Sequence, residues 1–166
     1  MSDYPWYGLA DGADLQQGDL LFSCPFDYVE SPGQADRSNF NIIVMSQSCD
    51  LAHEKLELVQ VCPFWELEKL AQELEFFRGK RGREEIRRGN VPGYHMLNRC
   101  TLAEIQTGLL VVDFRAQFAV SPPKLQTLAG AQQPRLRLLP PYREHLAQAL
   151  ARFYMRVGLP IDIPAF

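Results

Sequence analysis

The sequence lacks the features that would place the protein in a membrane or give it a disulfide framework. Its 166 residues contain no apolar run of about 18 side chains, the length that a membrane-spanning helix needs. The first residues contain no basic region followed by an apolar segment, so no signal peptide is expected. The four cysteines are widely spaced without a Cys-x-x-Cys pair, and we expect reduced thiols. Together these absences predict a cytoplasmic protein.

Two common catalytic or metal-binding patterns are also absent. There is no Gly-x-Ser-x-Gly, the turn that presents the nucleophile of many serine hydrolases. A zinc site would need Cys49 and His53 to be joined by further ligands such as Cys62 or His95, and no pair among them has the spacing of a zinc finger. We therefore expect neither a metal ion nor another cofactor.

Charge is distributed unevenly, although the net charge is only −3. Residues 1–77 carry 14 acidic and 3 basic side chains, whereas residues 78–166 carry 14 basic and 6 acidic ones. This split allows a basic face for RNA or another anionic partner, or a homodimer that joins unlike faces. It equally fits one folded-back domain whose halves neutralise each other. The length favours a single domain over residues 1–166.

Three apolar segments in the first 63 residues predict neighbouring strands. A Gly-Asp turn signal precedes residues 20–23, a segment that ends at Pro25. Residues 42–46 form an apolar run that is β-branched at its start, and residues 55–63 alternate and end on a proline. Residues 27–39 have the composition of a loop. Connections this short predict an antiparallel meander.

The second half mixes helical and strand patterns. Apolar side chains recur every three or four residues over 64–77, which predicts an amphipathic helix. A helix over 142–157 is predicted by its apolar stripe and by the Gly158 that follows it. Further strands are expected at residues 94–97, 109–120 and 136–139. The predicted fold is α+β: a small antiparallel barrel of about five or six strands (residues 18–63 and 94–139), with a helical and basic insertion over 64–93 and a C-terminal helix.

Reactive side chains are concentrated just after the predicted strand at 42–46. This candidate site contains Ser46, Gln47, Cys49, Asp50 and His53. On a helical turn His53 would lie beside Cys49 and favour its thiolate, as a nucleophile requires. The alternative is a buried structural cysteine, with Asp50 capping a short turn.

A second candidate is the basic segment over residues 78–88, in which six of eleven side chains are basic. Its glycines and arginines bury little apolar area, so we expect an exposed mobile loop or short helix of low local stability. Arginine-rich segments contact phosphates, although a solvated loop is the commoner outcome. The residues proposed for nucleic-acid contact are Arg78, Lys80, Arg81 and Arg83.

The order of these parts resembles the PemK/MazF-like toxins. Gly18-Asp19-Leu-Leu looks like their opening Gly-Asp-Ile-Val, and the strand that ends at Ser46 looks like their central strand. Residues 107–113 look like a later strand in which Arg and Asp lie two residues apart; here Arg115 follows Asp113 instead of preceding it. The resemblance implies an SH3-like barrel and endoribonuclease-like chemistry at Ser46, Asp113 and Arg115, in a bacterial toxin or phage-defence system.

A second resemblance matches the residues of this sequence more closely. Ser46-Gln-Ser-Cys-Asp50 after a hydrophobic strand, with a closing Phe-Tyr-Met-Arg-Val-Gly-Leu-Pro, is similar to a group of bacterial proteins that share a Ser/Thr-Gln-x-Cys-Asp motif. That group brings no activity with it. Two function classes therefore stay open: a nucleic-acid-processing protein, and a non-catalytic module that binds a cognate protein partner in a bacterial conflict or regulatory system. Either reading expects Ser46, Cys49, Asp50, Asp113 and Arg115 at one end of the barrel.

Overall fold

A computed structural model describes residues 4–31 and 34–155, and only the backbone of residues 28–31, 34 and 35. The strands in these ranges are β1 (Tyr7–Ala10), β2 (Asp19–Ser31), β3 (Gln34–Val44), β4 (Val59–Glu66), β5 (Tyr94–Leu97), β6 (Cys100–Thr101), β7 (Gln106–Thr107), β8 (Leu110–Asp113), β9 (Phe118–Val120) and β10 (Arg135–Leu138). The α-helices are α1 (Ser48–Ala52), α2 (Leu67–Glu73), α3 (Lys80–Arg87), α4 (Pro122–Gly130) and α5 (Tyr142–Tyr154).

One antiparallel sheet of eight strands organises the molecule. Its order is β1-β10-β2-β3-β4-β8-β5, and β9 also pairs with β4, while β6 and β7 form a separate hairpin. The predicted α+β class and the antiparallel pairing of the early strands are confirmed. The predicted closed barrel is not, since β1 and β5 are the unpaired ends of the path through the described residues.

The strand predicted at residues 20–23 is part of the much longer strand β2. β2 continues past Pro25 and pairs with β3 through Pro25↔Asn39 and Asp27↔Arg37, so the loop predicted over residues 27–39 is wrong. A bulge precedes Pro25, where Ser23 has a φ of 50° and its N–H donates to Asn41 Oδ1 at 2.9 Å. Cross-strand pairing in the hairpin thus outweighs the loop-like composition of its arms.

The long strand predicted over residues 109–120 is also interrupted. β8 and β9 both pair with β4, but a 3₁₀ turn at Phe114–Ala116 separates them. The carboxylate of Asp113 starts this turn by accepting the backbone N–H of Arg115 at 2.9 Å. A short polar side chain that caps its own turn competes in this way with strand pairing.

The insertion over 64–93 folds as a small helical layer. Its first residues extend β4 past Pro63, so the helix predicted over 64–77 is shorter: α2, followed by a 3₁₀ turn at Glu75–Phe77. The basic segment contains the short helix α3, which buries Ile86 against Phe77 and Tyr94. This layer packs on the outer side of β8 through Val111.

Alternating residues along the central strands fill two cores, one on each face of the sheet. Leu20, Ile43 and Phe64 belong to the core that α5 covers, and Leu21 and Ile42 to the core that α4 covers. The helix α4 lies between the strands predicted at residues 109–120 and 136–139, where no helix was predicted. The helix α5 begins at Tyr142 as predicted, whereas its predicted end at residue 157 lies outside the described residues. No helix within the described ranges has the length and hydropathy to cross a membrane.

Candidate functional site

Backbone bonds to β4 fix the start of the predicted reactive segment. Beyond the end of β3, the N–H of Met45 donates to the Gln60 carbonyl oxygen at 2.9 Å. The N–H of Gln60 in turn donates to the Ser46 hydroxyl oxygen at 2.9 Å. Ser46 therefore extends the pairing of β3 with β4 and holds the entry to α1. Gln47 stands at the N-cap of α1, and Cys49 and Asp50 lie in its first turn.

A second segment, residues 14–17, lies against α1. The backbone N–H of Gln17 donates to the Ser48 hydroxyl oxygen at 3.1 Å. The side-chain amide of Gln17 donates to the Met45 carbonyl oxygen at 2.8 Å. These two bonds join the N-terminal part of the chain to the turn that precedes α1, across about 30 residues of sequence.

A buried ion cluster holds this N-terminal segment in place. The carboxylate of Asp19 is completely buried and pairs with Arg135, also completely buried, at 3.0 Å and with Arg137 at 2.9 Å. Both guanidinium groups also donate to backbone carbonyl oxygens, Arg135 to Gly12 and Asp14 and Arg137 to Asp14. The cluster was missed from the sequence, because Asp19 was used only as a turn signal and the arginines lie more than 100 residues away.

The segments meet around a cleft of about 790 Å³, here called the acidic cleft. Carboxylates line it at Asp14, Asp50 and Glu54, and no lysine or arginine of the described ranges lines it. Its apolar wall comes from Leu15, Leu51, Leu56, Pro122 and Pro123, and its remaining lining residues are Gln16, Ser48, Cys49, Ala52 and Gln126. The arrangement suits a ligand that carries positive charge together with apolar groups.

Cys49 is the exposed cysteine of the four, and it lines the acidic cleft. Its sulfur lies 3.7 Å from Gln47 Oε1. His53 was expected to lie beside the Cys49 thiol. The bond observed between the two residues joins their backbones: His53 is the C-cap of α1, and its N–H donates to the Cys49 carbonyl oxygen at 3.3 Å. By contrast, burial raises the pKa of the Cys24 thiol to about 11 and that of the Cys62 thiol to about 12. Cys49 is thus the thiol accessible to a reagent or ligand.

Asp113 and Arg115, the other predicted catalytic residues, form an ion pair elsewhere. Arg115 donates to Asp113 Oδ1 at 2.9 Å and to Oδ2 at 2.8 Å, and this bonding raises the arginine pKa. The guanidinium also lies 4.3 Å from the centre of the Tyr94 ring and bonds to the Tyr94 hydroxyl. Among the described residues, no hydrogen bond or ion pair joins this Asp113–Arg115 clasp to Ser46 or Asp50.

Two of the four side chains proposed for nucleic-acid contact have partners within the protein. Arg83 binds both carboxylate oxygens of Glu68, at 2.7 and 2.9 Å, and the Phe77 carbonyl oxygen at 2.9 Å. Arg78 donates to two backbone carbonyl oxygens at the end of α2. Within the described ranges Lys80 and Arg81 have no such partner, so these two side chains are the ones left for an external anion.

No protein-family model and no curated protein matches the chain. Over residues 4–31 and 34–155 there is no group of three or more His, Cys, Asp or Glu side chains placed to hold a metal ion. The geometry itself is therefore the basis for assigning a role to the chain.

Proposed function

We propose that the protein is a non-catalytic binding module that captures a partner-protein segment rich in basic and apolar side chains. The observation that carries this proposal is the acidic cleft, in which Asp14, Asp50 and Glu54 stand beside an apolar wall and no described lysine or arginine lines the cleft. Ser48, Cys49 and Asp50, the last three residues of the Ser-Gln-Ser-Cys-Asp segment, line the cleft.

Charge and shape both favour a lysine- or arginine-bearing segment. The long aliphatic stem of such a side chain packs on leucine and proline while its charged end reaches a carboxylate. Carboxylates that lack a protein cation attract a cationic partner over distances comparable with the Debye length, so they raise the association rate as well as the affinity. A phosphate-bearing ligand would be repelled in this cleft, because phosphate and the lining carboxylates carry charge of the same sign.

The walls of the cleft are held before a ligand arrives. Residues 14–16 are fixed by the Asp19–Arg135–Arg137 cluster, since Gln16 also donates its backbone N–H to Asp19 at 3.1 Å. The opposite wall is held by the bonds of Gln17 to Met45 and Ser48. Such preorganisation lowers the entropic cost of binding.

Fluorescence anisotropy with a short labelled peptide of lysine and leucine tests the proposal. We expect binding in the parent protein, and affinity about tenfold weaker in the double variant Asp50→Asn, Glu54→Gln, because two charge contacts are removed. Glu57→Gln, an exposed position outside the cleft, is the matched control and should bind like the parent. Equal affinity in all three proteins, or equal affinity for a glutamate–leucine peptide, would refute the proposal.

A nucleic-acid-processing role on an SH3-like barrel of the PemK/MazF type is the second proposal. It is favoured by the half-exposed Arg115 guanidinium, which lies beside a carboxylate and next to Tyr94. In that version Asp113 would act as base and Arg115 would stabilise phosphate charge. Both carboxylate oxygens of Asp113 are already bonded to Arg115, which favours a structural clasp instead.

A further inference from the structure

A second cleft, of about 490 Å³, lies between α5 and the end of α3 with the following strand β5. Its charged and polar lining consists of Arg87, Arg88, His95, His145, Gln148 and Arg152. Its apolar lining includes Val91, Pro92, Met96 and Ala149. We call it the basic cleft; it shares no lining residue with the acidic cleft.

Cationic groups dominate the basic cleft, and none of the carboxylates in the described part of the chain lines it. Arg87 and Arg88 both pair with Glu84, at 2.7 and 2.6 Å, so these three side chains carry a net charge of +1. Arg152, from the opposite wall, has no ion-pair partner among the described residues and adds a second positive charge. Because Arg87 and Arg88 both pair with Glu84, their guanidinium groups are held next to each other at the end of α3.

Burial and two basic residues of the cleft, Arg152 and His145, lower the pKa of His95 to about 4, so its imidazole is neutral at neutral pH. The His95 ring also stacks on Phe114, with ring centroids 6.2 Å apart. A neutral imidazole in a cationic cleft offers one N–H donor without adding a charge that water or a counterion must screen.

We propose that the basic cleft binds a phosphate monoester group, either free as inorganic phosphate or carried on a ligand of nucleotide size. The net charge of about +2 matches a phosphate dianion, and guanidinium groups bind phosphate oxygens through paired N–H donors. The apolar lining beside the cations leaves room for a ring attached to the phosphate. This site is independent of the binding function proposed for the acidic cleft.

Isothermal titration calorimetry with three probes tests the assignment: adenosine monophosphate, inorganic phosphate and adenosine. We expect a Kd near or below millimolar for at least one phosphate-bearing probe and no binding of adenosine. Arg152→Gln and Arg88→Gln should each weaken binding by about tenfold, because each removes one charge-assisted contact. Arg99→Gln is the matched control, since this exposed arginine follows β5 and lies outside the cleft.

Each outcome distinguishes the sources of the phosphate or overturns the proposal. Binding of inorganic phosphate with similar affinity indicates a site for the free oxyanion, whereas binding of the nucleotide alone indicates a phosphorylated organic ligand. The proposal is overturned if neither phosphate-bearing probe gives heat at millimolar concentration, if adenosine binds as tightly as its phosphate, or if Arg99→Gln weakens binding as much as Arg152→Gln. Unchanged melting of the variants keeps a loss of binding separate from unfolding.

Discussion

Arg115 closes on both carboxylate oxygens of Asp113, two residues earlier in the chain, and lies against the face of the Tyr94 ring. The same carboxylate accepts the backbone N–H of Arg115. Gly93 allows this approach, because a Cβ atom there would lie only 3.0 Å from Arg115 Cδ. These bonds hold the turn between β8 and β9, so we expect their loss to lower the stability of the fold.

We predict that Arg115→Lys and Asp113→Asn each lower the free energy of unfolding by about 1–2 kcal/mol, because each removes paired charge-assisted bonds from a partly exposed site. Urea unfolding measures this loss. Incubation of the parent protein with RNA, with and without a chelator, is expected to give no cleavage. Cleavage by the parent that both variants lose, with unchanged unfolding, would instead establish the catalytic role.

The Asp19 cluster predicts a larger effect. Asp19→Asn leaves two arginines, one of them completely buried, without their carboxylate, and we expect a loss of about 3–5 kcal/mol. Residues 12–16 should also become faster to exchange amide hydrogen, since their carbonyl oxygens depend on these arginines. Asp11→Asn, at an exposed position nearby, is the control and should unfold like the parent. A similar midpoint for both variants would show that the cluster contributes little.

A side chain at Gly82 in α3 would clash with the backbone, and Gly79 in the same segment offers a control. A Cβ atom at Gly82 would lie 1.8 Å from the Phe76 carbonyl oxygen, a backbone atom that cannot move alone. Gly82→Ala should therefore cost about 2 kcal/mol or more, despite the better helix propensity of alanine. At Gly79, the N-cap of the same helix, a Cβ atom would have no heavy atom within 4 Å, so Gly79→Ala should be tolerated. Thermal melting distinguishes the two variants.

His95 predicts a dependence of stability on pH. Its folded-state pKa of about 4 lies below the ordinary value of 6.5, so the unfolded chain binds a proton first as the pH falls. The stabilising contribution is present above about pH 6.5 and is lost toward pH 4, by roughly 1–2 kcal/mol between about pH 7 and pH 5. His95→Gln should show a correspondingly smaller acid-induced loss than the parent in urea titrations at the two pH values. His53→Gln, at an exposed histidine, should retain the loss of the parent.

Local signals in the sequence predicted the parts of the fold that depend on local chemistry. The turn before β2 is one example, since Gly18 adopts a φ of +86°, a conformation that favours glycine. The strand at Tyr94–Leu97 and the start of α5 at Tyr142 are others. A start signal for α4 was also present in the sequence, because prolines 122 and 123 directly follow the strand predicted over 109–120 and occupy the first turn of the helix, where proline is favoured.

The candidate site was predictable only in part. The sequence grouped Cys49 and Asp50 in one reactive segment, and in the structure both residues lie in α1 and line the acidic cleft. The other walls come from Leu15 and from Pro122, which pairing and packing bring together from distant parts of the chain. The sequence pattern records spacing along the chain, and it carries no measure of such long-range contacts. For the same reason the sequence could not show that Asp113 is not among the residues that line this cleft.

The rate at which a maleimide alkylates Cys49 tests the central claim most directly. Cys49 is exposed at the acidic cleft, whereas Cys24, Cys62 and Cys100 are buried, so the folded protein should label at one position. The account predicts that the lysine–leucine peptide slows this reaction several-fold in the parent protein, and far less in the double variant Asp50→Asn, Glu54→Gln. An unchanged rate at saturating peptide, or the same slowing by the glutamate–leucine peptide, would contradict it.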